Sequence, residues 1–256
     1  MSTPLPAALI LAGSRRSGDP VAESEGIAHK ALAMAGGAPL LTRVILALHG
    51  AGVTRVVVCA DDPEVIALAR GQAAEVLPPR DGPSASVGAA FARLGAPLLV
   101  TTADHALLQP EWVTDFLADV PPGCDVSLLL ARRADVERAM PESRRTWLRF
   151  ADGDWSGCNL FLLRTAHAEA AIATWQAVEA DRKRPWRIAA RLGLGTLLSY
   201  ALGRLTLHAA IARLGRRVGL VAAPVAARDG LAAIDVDKVQ DLADVRRILA
   251  ERAAYE

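Results

Sequence analysis

The feature that most restricts this chain is a rhythm in its first 105 residues, where short apolar runs alternate with amphipathic stretches. Residues 7–12, Ala-Ala-Leu-Ile-Leu-Ala, offer no polar side, so both faces of the strand they form must be covered. Residues 39–51 then carry apolar side chains at helical spacing, with Pro39 suited to the first turn. The same alternation continues through a strand at 55–59 and a helix from Asp61-Asp62-Pro63 to about Arg70, opened by acidic residues and a proline. A short strand at 74–77, a helix at 84–94 and a buried strand at 97–102 follow. Strands buried on both faces and separated by helices predict an α/β fold, with a mostly parallel sheet flanked by helices and joined by right-handed crossovers.

After residue 110 the rhythm changes. A helix is predicted at 111–118 and a strand at 125–131, and the Arg- and Asp-rich stretch 132–154 reads as an excursion from the sheet. A strand at 158–163 returns the chain, opened by Asn159. Residues 166–215 are mainly helical, before a closing strand at 217–222, an edge segment at 233–236 and a terminal helix at 238–249. No fixed-period repeat or low-complexity linker divides the chain. It reads as one Rossmann-like domain over 1–256, its central sheet mixed, with a helical insertion at about 166–215.

Size and composition remove several classes. A chain of 256 residues buries a core without disulfides, and Cys59, Cys124 and Cys158, lacking C-x-x-C or Cys/His spacing, read as reduced core thiols. The net charge of +1 gives no general field for nucleic acid. No positive segment precedes the first strand, and the uncharged run 192–203 is 12 residues long, short of the roughly 20 that cross a bilayer. These features predict a cytoplasmic chain. Alanine fills 51 positions, whereas only Lys30, Lys183 and Lys238 are lysines, so a lysine in a loop is informative.

Such a lysine follows the first strand. The C-terminal ends of parallel strands carry ligands, and here Leu11-Ala12-Gly13-Ser14-Arg15-Arg16 leads to His29-Lys30-Ala31-Leu32. Gly13 lets backbone N–H groups approach phosphate oxygens, Arg15 and Arg16 offer forked donors, and Lys30 adds a compact charge. Neither G-x-G-x-x-G nor G-x-x-x-x-G-K-[ST] is present, so the loop is neither a dinucleotide fingerprint nor a Walker A loop.

With Gly37-Ala38-Pro39-Leu40-Leu41 following, this opening resembles the nucleotidyltransferases of the molybdenum-cofactor guanylyltransferase-like and sugar-phosphate nucleotidyltransferase type. The resemblance implies that Leu11, Ala12, Gly13, Ser14 and Lys30 bind the triphosphate of an NTP, with Arg15 or Arg16 as the family's phosphate-binding arginine. The loop is longer than the family's, and His29 stands where proline commonly precedes the lysine. Gly82-Pro83-Ser84-Ala85-Ser86-Val87 is similar to the base-reading segment, which maps Gly82, Ser84 and Ser86 to nucleotide contacts; on spacing alone, Ser84 is more simply a helix N-cap. Ala103-Asp104-His105 resembles the segment whose aspartate binds Mg²⁺ and nucleotide, although the family's proline is missing.

Further resemblances lie late in the chain. Asp235-Val236-Asp237 resembles the second metal-binding segment, with Asp237 as the ligand and Asp235 as the alternative. In an extended segment their side chains share a face, where they repel unless a cation lies between them. Asp241 reads as a cap or partner of the terminal helix, and Lys238 as a solvated charge. Ser156-Gly157-Cys158-Asn159 resembles the strand whose asparagine lies near the acceptor.

The resemblance implies a Mg²⁺-dependent enzyme that moves an NMP from an NTP to a phosphate-monoester acceptor and releases pyrophosphate. Arg15, Arg16 and Lys30 would carry the catalytic charge; neither nucleic acid nor a covalent nucleophile is involved. The alternatives are a nucleotide-binding module without catalysis and an NDP-sugar-dependent glycosyltransferase. Residues 182–204, basic and Trp-bearing before an apolar stretch, read either as a peripheral membrane contact or acceptor pocket, or as a buried helix.

Overall fold

The computed structural model describes residues 5–14, 18–143, 145–181 and 193–254. Three consecutive runs supply the central strands: β1 (Ala7–Ala12), β4 (Val56–Ala60) and β6 (Leu98–Thr102). β1 lies parallel between β4 and β6, with Leu9 opposite both Val57 and Val100. Side chains alternate across the sheet: Ala8, Ile10, Val56, Val58 and Leu99 enter one core, and Leu9, Val57, Cys59, Leu98 and Val100 the other. Continuous apolar sequence is thus the signature of two covered faces.

The eight-stranded sheet runs β10-β7-β9-β6-β1-β4-β5, with β8 paired to β9. β5 (Glu75–Leu77) joins β4 in parallel at one edge. β9 (Gly153–Leu163) lies antiparallel between β6 and β7 (Val126–Arg132), which makes the sheet mixed as expected. A small second ribbon pairs β2 (Met34–Ala35) with β3 (Ala38–Pro39).

Helices α1 (Pro20–Glu25), α2 (Leu40–Gly50), α3 (Pro63–Gly71), α4 (Pro83–Leu94) and α5 (Pro110–Asp119) each follow a strand or ribbon. α2 buries Leu41, Val44, Ile45 and Leu48 against one face of the sheet; α4 buries Val87, Ala90 and Phe91 on the other, with Ile172 of α7 (Ala168–Ala180). Three apolar stripes at helical spacing therefore become the two helical layers. Buried alanines such as Ala8, Ala12, Ala47, Ala60 and Ala69 line these contacts and let helix and sheet backbones approach closely, which gives part of the alanine excess a packing role. Cys59, Cys124 and Cys158 are buried and unpaired, as expected.

The stretch 132–154 forms α6 (Arg133–Ala139) and β8 (Leu148–Phe150), and β8 folds back onto β9. Strand β9 begins at Gly153, earlier than predicted, so Asn159 lies inside it rather than opening it. There the β7–β9 register is irregular, and Asn159 adopts φ 48°, a left-handed conformation that asparagine tolerates. Within the helical region lie α7, α8 (Leu194–Ala201) and α9 (Leu207–Arg217).

The closing strand differs most from the sequence reading. Residues 217–222 do not form it: Arg216 and Arg217 end α9, where positive charge meets the helix C-terminus, and Gly219 turns the chain at φ 76°. The strand is β10 (Ala222–Ala226) instead. It contains Pro224, which an edge strand tolerates: among the described residues β10 is bonded to β7 alone, so a missing N–H costs little. The edge segment expected at 233–236 is replaced by a 3₁₀ turn, Gly230–Ala233, and an irregular stretch leading to α10 (Val239–Ala253). No described helix is long and apolar enough to cross a membrane.

Candidate active site

The C-terminal ends of β1, β4 and β6 form the floor of the site. After β6 ends, the Ala103 N–H still donates to Leu11 C=O at 2.9 Å, which carries the β1–β6 ladder one residue further. Asp104 comes next. The Val236 N–H donates to its carbonyl at 3.0 Å, so the segment containing Asp235 and Asp237 is held against the end of β6. Two acidic segments 130 residues apart in sequence are thereby brought together.

Lys30 enters from the opposite side on a short 3₁₀ turn, Lys30–Leu32. His29 caps this turn, its Nδ1 accepting from the Ala31 N–H at 3.0 Å. That is a physical role for the histidine that replaces the expected proline. The Lys30 ammonium donates to Asp104 Oδ2 at 2.5 Å, Val236 C=O at 3.1 Å and Asp237 Oδ1 at 3.2 Å. The Lys30 and Asp104 side chains are each 11% exposed, whereas Asp237 is 48% exposed. Thr102 Oγ1 also donates to Asp104 Oδ1, at 2.5 Å. The cation expected between Asp235 and Asp237 is not one shared group: Lys30 meets Asp237 together with Asp104, and Asp235 has partners of its own.

Asp235 is held by a second cation. Arg145 forms an ion pair with its Oδ1, and Asn159 Nδ2 donates to its Oδ2 at 2.6 Å. Burial raises the Asp235 carboxyl above the usual carboxylate range, and the nearby Asp104 and Asp237 charges add to this against the opposing pull of Arg145. Arg145 Nε is buried without a hydrogen-bond partner among the described residues. Arg145 was missed because it stands among many arginines in the stretch 132–154, and its partner lies 90 residues away.

Beside Lys30, a cleft of about 220 Å³ is lined by Gly13, Ser14, Gly18, Asp19 and His29, among others. A Cβ added at Gly13 would meet only Pro79, at ordinary contact distance, so the protein's own packing does not require glycine there. The Ser14 N–H and Oγ donate to Asp61 Oδ1 at 3.0 and 2.9 Å. Burial works to raise the Asp61 pKa, but these bonds outweigh it and hold the carboxyl below its ordinary value. Asp61 itself went unrecognised, since the neighbouring Asp62 performs the expected helix capping. Arg15 and Arg16 lie outside the described residues.

The Gly82–Ser86 segment lies at the start of α4, but Ser84 is not its N-cap. Gly82 holds that position at φ 103°, followed by Pro83, and Ser84 falls within the first turn. Ser84 Oγ donates to Glu179 Oε2 of α7 at 2.5 Å, and its N–H to the same oxygen at 3.3 Å. A Cβ on Gly82 would collide with this carboxylate. Ser86 Oγ accepts from the Arg80 N–H at 2.8 Å and donates to Gly82 C=O at 2.9 Å, which fixes the preceding loop. Asp241 accepts from the Asp237 and Lys238 N–H groups at 3.0 and 2.7 Å, the helix-start role expected of it.

The carboxylates that share Lys30, Asp104 and Asp237, offer only oxygen donors, and Asp235 lies in the same segment as Asp237. His105 is buried, and burial lowers the ring's pKa to about 4 against the opposing pull of Asp104 and the Ala232 backbone. Burial also raises the pKa of the Cys158 thiol strongly. No group of three or more His, Cys, Asp or Glu side chains among the described residues is arranged as a complete metal site. Hard oxygen donors in an incomplete set fit Mg²⁺, which commonly takes one or two carboxylates and completes its shell with water and substrate phosphate.

A family model described as a MobA-like NTP transferase domain matches residues 8–251. No curated protein matches the chain. Among solved structures, a hypothetical transferase from Thermus thermophilus is 30% identical, with a TM-score of 0.80 over 93% of this chain and 99% of that one. A nucleotidyl transferase from Methanothermobacter thermautotrophicus is 19% identical, with a TM-score of 0.60 over 96% of this chain and 98% of that one. A CMP:2-keto-3-deoxy-manno-octonic acid synthetase, solved with CTP, is 18% identical, with a TM-score of 0.57 over 96% and 98% of the two chains. These last two share the fold.

Proposed function

The chain belongs to the MobA-like NTP transferase family and is a nucleotidyltransferase, and from that premise we propose that it transfers an NMP from an NTP to a phosphate monoester of a sugar, a polyol or a small organic acid. The reading rests on one observation: the Lys30 ammonium, seated between Asp104 and Asp237 beside the Gly13 cleft. An attacking phosphate oxygen forms a bond to the α-phosphorus as the α–β bridging bond breaks, and pyrophosphate leaves with the electron pair. Both reactants are anions, so the residues must neutralise charge and align the attack.

Gly13 admits the triphosphate, and Lys30, with Arg15 and Arg16, balances the charge that develops on the leaving pyrophosphate. Leu11, Ala12 and Ser14 provide the backbone edge of that cradle. Asp104 and Asp237 would hold Mg²⁺, with Asp235 as the alternative to Asp237. When bound, the ion supplies Lewis-acid stabilisation of phosphate oxygens. Lys30, bonded to both carboxylates beside the cleft, would offer its ammonium to phosphate oxygens. Gly82, Ser84 and Ser86 face the nucleoside end.

Arg145 supports the phosphate-bearing acceptor. Its buried Nε lacks a hydrogen-bond partner among the described residues, and a guanidinium presents forked donors suited to phosphate. Asn159, bonded to the same Asp235, lies with it on the acceptor side.

The test is pyrophosphate release from each of four NTPs against a panel of sugar, polyol and small organic phosphates, with and without Mg²⁺. One NTP and one acceptor class should give Mg²⁺-dependent release that Asp104→Ala abolishes without loss of fold. Tight NTP binding with no release across the panel would favour the binding module; turnover of an NDP-sugar would favour a glycosyltransferase.

A further inference from the structure

The helical pair α8–α9 carries exposed apolar and basic groups that the transfer reaction does not use. Leu198, Tyr200 and Leu202 are 62%, 51% and 57% exposed. Leu198 lies within α8, and Leu202 caps its C-terminus four residues on. Leu214 of α9 is also exposed. Charge segregation marks this part of the sequence: residues 182–227 contain nine Arg and Lys and no Asp or Glu, although the chain has 28 acidic residues. The rest of the chain consequently carries a net charge of −8. Within the pair and its connection, Arg204, Arg213, Arg216 and Arg217 supply this charge.

The pair is firmly seated. Leu207 is buried with Leu130 and Trp155, and Ile211 packs beside them. Gly215 sits so close to Leu220 C=O and Ala222 that a Cβ would collide with them. Tyr200 meets Phe150 edge-on at 6.1 Å, Arg213 donates to Ser199 Oγ at 3.1 Å, and the Ala151 N–H donates to Leu205 C=O at 2.8 Å. The inward stripe Leu207, Ile211 and Gly215 thus fixes α9 on the sheet, and the leucines of α8 stay outside.

We propose that α8–α9 docks on an anionic lipid surface, with Leu198 and Leu202 entering the headgroup boundary and the arginines meeting lipid phosphate and carboxylate groups. Exposed apolar side chains together with an excess of cations on one short helical pair are what a bilayer interface accepts. A second copy of this chain fits less well, since a two-fold contact would bring these like-charged faces together. A nucleic acid would satisfy the arginines but leave the leucines without an apolar partner. Of the stretch 182–204 read from sequence, residues 182–192 lie outside the described residues; the proposal rests on α8, α9 and their connection.

The full chain is sedimented with phosphatidylcholine vesicles and with vesicles also containing phosphatidylserine or phosphatidylglycerol, at low salt and at about 0.5 M salt. Pelleting is expected only with anionic vesicles at low salt. Arg204→Gln/Arg216→Gln should weaken partition by roughly fivefold per arginine, and Leu198→Glu/Leu202→Glu by at least about tenfold. Both variants should melt within about 4 °C of the parent and keep pyrophosphate release on water-soluble substrates. Absent pelleting, equal pelleting with neutral vesicles, or variants that pellet like the parent would overturn the proposal. So would a concentration-dependent dimer that Leu198→Glu/Leu202→Glu dissolves, because a second copy would then cover the face.

Discussion

Replacing Lys30 by methionine keeps most of the side-chain volume and removes the ammonium from between Asp104 and Asp237. Lys30 and Asp104 are each 11% exposed and 2.5 Å apart, so most of the loss comes from stranding Asp104 as a nearly buried charge. Removing one partner of a fully buried pair costs about 3–5 kcal/mol. Asp104 keeps its bond from Thr102, and Asp237, 48% exposed, can recover hydration, so the lower end applies, about 3 kcal/mol. For a domain of this size that lowers the melting temperature by roughly 6–12 °C. Asp104→Asn in the Lys30→Met background should recover about 2 kcal/mol, because neither charge of the pair remains. Melting of the four proteins of this cycle, followed by circular dichroism, measures the coupling. Pyrophosphate release should fall by about 10²–10³ in Lys30→Met, with poor rescue by Lys30→Arg, since a planar fork does not replace a compact ammonium. Strictly additive melting shifts, or a Lys30→Met protein as stable and active as the parent, would refute the reasoning.

Gly13→Ala should melt within about 2 °C of the parent, because the added Cβ meets only Pro79 at ordinary contact distance. NTP affinity measured by calorimetry should drop by at least about tenfold, since the backbone approach of phosphate is obstructed. Because burial lowers the His105 pKa from 6.5 to about 4, the unfolded chain takes up that proton first as pH falls. The stability present above pH 6.5 should decline by on the order of 3 kcal/mol toward pH 4. His105→Phe should flatten this part of a denaturant-unfolding profile against pH; identical slopes would contradict the assignment. Asn159→Gly preserves the left-handed backbone but removes the bond to Asp235, so it should raise the acceptor KM several-fold with the NTP KM unchanged. An equal rise in both would remove Asn159 from the acceptor side.

The fold was legible where local sequence and tertiary demand agree. Residues 7–12, 55–59 and 97–102 are apolar on both faces because helices cover both faces, and they fold as parallel strands. Asp104 was visible because a carboxylate closes a buried strand. Partners supplied from distant segments were not visible: Arg145 meets Asp235 across 90 positions, and Glu179 meets Ser84 across 95. Ser84 read as a cap because its type suits one, yet the Gly82-Pro83 geometry puts the cap two residues earlier. The place of β10 was not visible either, because the edge position, where Pro224 is harmless, is a property of the whole sheet. His29 departed from the family's proline, and only the folded turn shows that its imidazole performs the local capping.

The proposed reaction is transfer of a nucleotidyl group to a phosphate at a site built on Lys30, Asp104 and Asp237. Phosphorus NMR of a reaction containing the selected NTP, Mg²⁺ and acceptor phosphate tests it most directly. A new diphosphate linkage should grow in step with one equivalent of free pyrophosphate, and Asp104→Asn should abolish both signals while remaining folded. Pyrophosphate accompanied only by free NMP, or the same linkage forming at the parent rate in Asp104→Asn, would contradict the account.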